Sequence, residues 1–263
     1  MADLAEFAAQ ILSGAIEVID LTSPLQASTP ILQLPPQWGQ TQPFQLEEIS
    51  RYDDRGPAWY WNNIRTGEHT GTHLDAPNHW VTGKDKEDVA QIPLRKLIGP
   101  AVVIDKAKEV SDNPDYLLDV KDLEEWQERH GALPDNGWLL FRTGWSARGE
   151  DPAAFANADD QGPHTPGVTP AAAAYLAATG LLGLGVETVG TDAGQAFGFT
   201  PAFPCHEAVL GAGKYGLTQL RNLDRLPVTG AIVIAAPLPT TPKTVLTPAS
   251  RASTVPIQCA TVG

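Results

Sequence analysis

A chain of 263 residues is long enough for one large domain with an ample core, and its 42% hydrophobic and 19% charged residues lie far from the composition of disorder. Thirty-one acidic against 18 basic side chains leave a formal charge of −13, a field that repels phosphate backbones and acidic membrane surfaces and argues against nucleic acid as a partner. Two cysteines (Cys205 and Cys259), no basic and apolar opening segment and no apolar run near the ~20 residues of a membrane helix argue against a disulfide framework, a leader and a membrane span, and the expectation is a cytoplasmic protein.

In chain order, Leu4, Phe7, Ala8 and Ile11 have helical spacing over residues 2–12, and Ser13-Gly14 ends that helix. A strand is expected at 17–21. Residues 24–43 hold five prolines and no periodicity, which reads as an extended arm over the surface. Such arms often reach a neighbouring subunit, and Leu32, Leu34 and Trp38 are the candidates to cap a neighbour's pocket. Strands are expected at 58–64 and 101–104, where aromatic or β-branched residues are bounded by Gly or Pro.

Asp119 to Asp122 opens a helix that stops at Gly131, and a strand follows at 137–143. Thr169 at the N-cap with Pro170 at the first helical position opens a second helix that ends at Gly180. A buried strand at 184–189, a short helix at 206–210 and strands at 215–220, 231–235 and 256–261 complete a mixed α/β order. No repeat or boundary divides residues 1–263, so a single domain is expected.

Three of the six histidines, His69, His73 and His79, fall in one 11-residue window together with Asp75. Imidazole and carboxylate are the usual donors to Zn, Mn, Fe or Ni, and two His plus one Asp leave positions open for water and substrate, as catalysis requires. All four residues have the same parity and would line one face of a strand. Four residues of straight strand nevertheless span ~13 Å, whereas two ligating nitrogens must each lie ~2 Å from one ion, so the chain has to bend. Gly71 is where it can, in a strand-turn-strand loop stiffened by Pro77 before His79. His79 could be a third ligand, a general base or a solvated loop residue; an imidazole that titrates near neutrality makes base the preferred role.

His69-Thr-Gly-Thr-His73-Leu-Asp75-Ala-Pro-Asn-His79 resembles the His-x-Gly-Thr-His-x-Asp-x-Pro-x-His signature of a cyclase family that includes bacterial kynurenine formamidases and isatin hydrolases. The similarity runs from Val18-Ile-Asp-Leu-Thr22 through Gly190-Thr-Asp192 to Asn222-Leu-Asp-Arg-Leu-Pro227. It implies a swivelling β/β/α fold, an α/β domain with a mixed sheet and a central barrel-like core, and a homodimer or higher oligomer. It also implies that His69, His73 and Asp75 hold a metal, that activated water opens an amide or ring, and that His79 donates and accepts the proton.

His206 matches a histidine that helps to hold a second zinc in the formamidases. Those dinuclear enzymes place a glutamate shared by both metals where this chain has Thr218, followed by Gln219. Thr cannot replace the charge of a bridging carboxylate, so one metal is expected. That loss resembles the isatin hydrolase branch, as do Trp59-Tyr-Trp61, Trp80-Val-Thr-Gly-Lys84 and Gly194-Gln-Ala-Phe197. The branch implies manganese, with zinc the alternative, and turns His206 with Thr218 or Gln219 toward the substrate.

Trp59, Trp61, Trp80 and Phe197 are the candidates for a flat apolar pocket that takes a small aromatic cyclic amide. The expected reaction is hydrolysis of isatin to isatinate. The alternatives are an arylformamidase acting on N-formylkynurenine, another lactam or ring-closing cyclase activity, and a non-catalytic metal-binding scaffold. Cys205 beside His206 is only an adjacency, and Gly211-Ala-Gly213-Lys-Tyr-Gly216 follows a helix and precedes a strand, the reverse of a dinucleotide fingerprint.

Overall fold

The structure, a computed structural model, describes residues 4–240 and 254–262, with side chains described over 4–240. Helix α1 (Leu4–Ser13) leads into strand β1 (Val18–Asp20). The first two residues of the expected helix, Ala2 and Asp3, lie outside the described residues.

Four parallel strands form the spine: β5 (Ile98–Asp105), β6 (Trp138–Arg142), β7 (Gly183–Val186) and β8 (Tyr215–Thr218). Parallel neighbours need crossovers. Helices α2 (Ala107–Asp112) and α3 (Val120–His130) connect β5 to β6, and α4 (Pro152–Ala156) and α5 (Pro170–Ala178) connect β6 to β7. A single helical turn at His206–Leu210 precedes β8.

Three antiparallel strands, β4 (His73–Asp75), β9 (Ala231–Pro237) and β10 (Thr254–Val262), complete the order β4-β8-β7-β6-β5-β9-β10. Residues 254–256 of β10 pair back onto β4, so the mixed sheet curls into a barrel-like ring, and β1 pairs with the far end of β10. The expected α/β fold with a barrel-like core is found, and the expected strands and two capped helices fall where patterning put them. Asp119 caps α3 reciprocally with Asp122, and the Thr169 side chain accepts from Ala172 N at the start of α5.

Strand β6 shows how the layers form. Trp138 and Leu140 pack inside the ring with Leu74, Leu217 and Val233, while Leu139 and Phe141 face Leu123, Trp126 and Leu176 of the helices. Both faces are covered, so the strand reads as an unbroken apolar run.

One element was not expected from the sequence, and the arm packs against its own chain. Strand β2 (Gln45–Asp53), unexpected from its acidic composition, forms a hairpin with β3 (Gly56–Arg65), and these two pair only with each other among the described residues. The arm at 24–43 returns onto its own chain: Ile31 bridges Thr70, and Leu25 lies over Gly71. No described helix is long and apolar enough to cross a membrane.

Candidate metal centre and active site

The site forms at the carboxyl ends of the parallel strands, where open α/β sheets place ligands. Gly71 has φ +68°, the left-handed bend that lets His69 fold back beside His73. A Cβ there would also lie 2.5 Å from Leu25 of the arm. Beyond the bend, β4 presents His73 and Asp75 on one face, opposite Thr218 and Gly216 of β8. Gly216 leaves room for the carboxylate, because a Cβ at that position would sit 3.2 Å from Asp75 Oδ2 and 2.9 Å from Thr191 Cγ2. Pro77 then opens a tight turn in which His79 N–H donates to the Ala76 carbonyl at 3.0 Å.

Four donor side chains converge. Asp75 Oδ1 lies 3.1 Å from His69 Nδ1 and 3.5 Å from His73 Nε2, and the two imidazole nitrogens are 3.2 Å apart. The His79 ring centroid is 4.1 Å from that of His69. Donor atoms of His69, Asp75 and His79 all lie within 4.8 Å of one another, so the geometry admits His79 as well as the expected His73 beside His69 and Asp75. His73 Nδ1–H donates to the Gly71 carbonyl at 2.8 Å; because a carbonyl can only accept, Nε2 is left with its lone pair toward His69 and Asp75, an outer contact typical of ligating histidines. The Thr218 hydroxyl lies 2.9 Å from His73 Nδ1 and 3.0 Å from Nε2.

Asp75 Oδ1 and His79 Nδ1 are buried without a hydrogen-bond partner. A buried carboxylate oxygen ringed by imidazole nitrogens is costly without a cation, and the mixed nitrogen and oxygen donors suit a divalent transition metal. Burial by itself would raise the Asp75 carboxyl; the facing His73, His69 and His79 rings outweigh it and hold it well below the ordinary carboxylate range. Burial lowers His69 and pushes His79 well below the usual imidazole value, so both rings are neutral near pH 7, as ligation or proton acceptance requires. His206 goes the other way: burial opposes its charge, but the hydrogen bond and charge of Asp192 raise it.

A cavity of about 180 Å³ adjoins the cluster, lined by Ile31, Leu32, Phe155, Asp192, Phe203 and His206 among others. Leu32 of the arm therefore faces its own chain's cavity. Trp80 is held by Nε1–H donation to Glu207 at 3.1 Å, with its ring 4.8 Å from that of His206 and 5.6 Å from that of Phe203. Phe197 touches Phe203 and the arm's Trp38 at the rim, where it is 65% exposed. Trp59 and Trp61 are about half exposed on β3 and do not line this cavity.

Gln219 is buried and tied to the arm. Its backbone is left-handed at φ +50°, and its amide donates to the Pro30 carbonyl at 3.0 Å, so it anchors the arm. Patterning missed Phe203, Glu207 and the role of Asp192. Phe203 has φ +51°, a genuine outlier for a bulky residue and the kind of strain found at functional sites, but no linear signal marks it. Cys205 is fully buried and its thiol is pushed well up by burial and by Asp192, so it is no nucleophile.

Comparison with known proteins gives consistent matches. The family described as "Putative cyclase" matches residues 19–193. An isatin hydrolase from Roseibium aggregatum is 46% identical over 238 residues, covering 89% of this chain and 90% of the relative. A kynurenine formamidase from Salinibacter ruber is 27% identical over 84% of this chain and 90% of the relative. The crystal structure of an isatin hydrolase bound to the product analogue thioisatinate superposes with a TM-score of 0.94 at 42% identity, covering 100% of this chain and 99% of that one.

Proposed function

This chain belongs to the cyclase family, and from that premise we propose that it is a metal-dependent hydrolase that breaks the amide C–N bond of a small aromatic cyclic amide, isatin, to give isatinate. The observation that carries this reading is the partnerless, buried Asp75 Oδ1 among His69, His73 and His79, beside an aromatic-walled cavity.

His69, His73 and Asp75 would hold one divalent cation, manganese with zinc as the alternative. The carbonyl-fixed tautomer of His73 supports its place in that set. When bound there, a divalent cation polarises a carbonyl and lowers the pKa of water. His79, kept neutral by burial and with Nδ1 unpartnered, takes the proton of the attacking water as its oxygen joins the amide carbon. It returns that proton to the nitrogen as the C–N bond breaks, leaving an aryl amine and a carboxylic acid whose remaining proton passes to solvent to give the carboxylate. Phe203 covers one face of the flat ring at the cavity wall, Trp80 packs edge-on against Phe203 and tilted against His206 and holds that wall in place, Phe197 guards the rim, and His206 meets the polar edge of the substrate. Thr218 contributes through His73, and Gln219 through the arm.

Trp59 and Trp61 enter this reading through a second copy of the chain. The half-exposed apolar hairpin and the exposed Leu4 and Leu12 of α1 support a homodimer or higher oligomer, for which the cytoplasm is the proposed compartment. Arylformamidase activity is disfavoured by Thr218 standing where the dinuclear enzymes place a shared carboxylate. The decisive experiment measures metal content and hydrolysis of isatin and N-formylkynurenine by the purified protein before and after chelation. Isatin opening that disappears with the metal and returns on adding manganese is expected. Preference for the formamide, or equal rates with and without metal, overturns the proposal.

A further inference from the structure

We propose that Asp192 is a positioning residue that aims the His206 imidazole at the substrate, and that it acts on the reaction only through that ring. Asp192 is 9% exposed, in the loop after β7, and its hydrogen bonds converge on one place: Oδ1 accepts from Cys205 N–H at 2.6 Å, and Oδ2 accepts from His206 N–H at 3.1 Å and from the His206 ring Nδ1–H at 2.5 Å. One carboxylate therefore grips both the backbone and the side chain of the same histidine.

A carboxylate oxygen only accepts, so Nδ1 must carry a hydrogen whether the ring is neutral or charged. The imidazole is rigid and planar. Fixing Nδ1 on the Asp192 side sends Nε2 to the opposite edge, and Nε2 has no protein partner among the described residues. His206 lines the cavity, and its ring lies 4.8 Å from that of Trp80 and 5.5 Å from that of His79. Nε2 is thus the polar edge left for a ligand placed between the donor cluster and the aromatic wall. The Thr191 hydroxyl, 3.5 Å from Nδ1, lies on the already committed edge and does not compete for Nε2. Two hydrogen bonds to the backbone and one to the ring prevent the rotation that would otherwise let His206 swing between orientations, which is how outer contacts hold a working group within a few tenths of an ångström.

The inference rests on the isatin hydrolase reading for its kinetic readout, and the test is built so that the two can fail separately. Asp192→Asn, His206→Ala and the double variant are compared with the wild type in the full, metal-loaded protein. Loss of a hydrogen bond to a charged group predicts a fall of about 10- to 100-fold in kcat/KM for Asp192→Asn. In the His206→Ala background the same change is expected to have almost no further effect, the non-additivity of two residues that act as one. Asp192→Glu restores part of the loss.

A purely structural role for Asp192 as a cap of the Cys205-His206 backbone predicts equal losses in both backgrounds, and that result overturns the proposal. Proton and nitrogen NMR of the imidazole provides a readout independent of turnover. A deshielded Nδ1 proton on His206 is expected in the wild type and is lost in Asp192→Asn, whatever substrate the enzyme takes. Its absence from the folded wild type overturns the proposal even if isatin is hydrolysed, whereas its presence with no isatin turnover overturns only the substrate assignment.

Discussion

Strands β3 and β4 are close neighbours in sequence and opposites in the fold. Arg65 ends one and His73 begins the other. In β4 every residue is buried, since β8 pairs with one edge, β10 with the other, and Leu74 fills the inner core. In β3, Trp59, Trp61 and Ile64 are 49%, 54% and 67% exposed, and β2 is the only strand that pairs with it among the described residues. β3 is the more apolar of the two, yet it is β4, with two ionisable residues in three, that is buried. Pairing on both edges decides burial here, and the buried strand tolerates His and Asp because their polar atoms face one another across a prospective cation. An isolated two-stranded hairpin is marginal in water, so β2 and β3 are expected to need support beyond their own pairing.

The sharpest way to break that contrast is to remove the charge that makes β4 a site. Asp75→Asn keeps the shape and deletes the carboxylate. Metal should be lost, with kcat/KM falling about a thousandfold or more, since cation stabilisation of the reacting oxygen is worth several kcal/mol. Elemental analysis beside the isatin assay checks both; retained metal with retained activity would move the site elsewhere.

His79→Ala tests the division of roles next to it. As general acid and base, His79 is worth about 10²- to 10⁴-fold in kcat, with metal retained. As a ligand in the place of His73, its removal takes the metal as well. Metal stoichiometry separates the two, and the matching His73→Ala variant must give the complementary result.

The hairpin gives the next smaller effect. If β3 seats in a second copy, Trp61→Ser removes an aromatic anchor whose loss typically costs about 2 kcal/mol or more, roughly 30-fold in the dimer dissociation constant. Sedimentation velocity over a concentration series measures it. If the hairpin stands free, a half-exposed substitution changes stability by at most about 0.5 kcal/mol and the protein stays in the same assembly state.

Sequence made β4 far more legible than the hairpin's partner or the cavity. The histidine and aspartate spacing, the need for a bend at Gly71 and the stiffening Pro77 are local requirements, and φ +68° at Gly71 is where the geometry demanded it. The same holds for the Asp119 and Thr169 caps. Strand β2 was hidden because Glu47 and Glu48 sit in a run with almost no buried face, and only pairing with β3 makes it a strand. Phe203 and Glu207 are joined to Trp80 by tertiary packing across more than a hundred residues of chain, Asp192 reaches His206 only through the folding of the intervening loop, and nothing in their own neighbourhoods announces it. The anchoring of the arm by Gln219 was hidden for the same reason: its partner, Pro30, lies 189 positions away.

The smallest expected effect sets the buried histidine cluster against His164, a half-buried histidine paired with carboxylates near the surface. His164 donates from Nδ1 toward Asp115 at 2.7 Å and from Nε2 toward Asp159 at 3.2 Å, and these hydrogen bonds, chiefly that to Asp115, raise its pKa above the ordinary 6.5. A histidine raised in the fold binds its proton more tightly than in the unfolded chain. Its contribution is therefore complete below about pH 6.5 and is lost as pH climbs through the raised value. The short ribbon that pairs Ala158–Asp159 with Gly162–Pro163 should accordingly exchange its amides faster at pH 8 than at pH 6, after correction for intrinsic rates, and His164→Asn should remove the difference. Surface pairs of this kind are worth little and are screened by salt, so the effect should shrink in 1 M NaCl. His79, buried and depressed, has the opposite sign: the unfolded chain takes up its proton first as pH falls below 6.5, so the metal-free protein loses stability from this group toward acid, in a range where His164 retains its contribution.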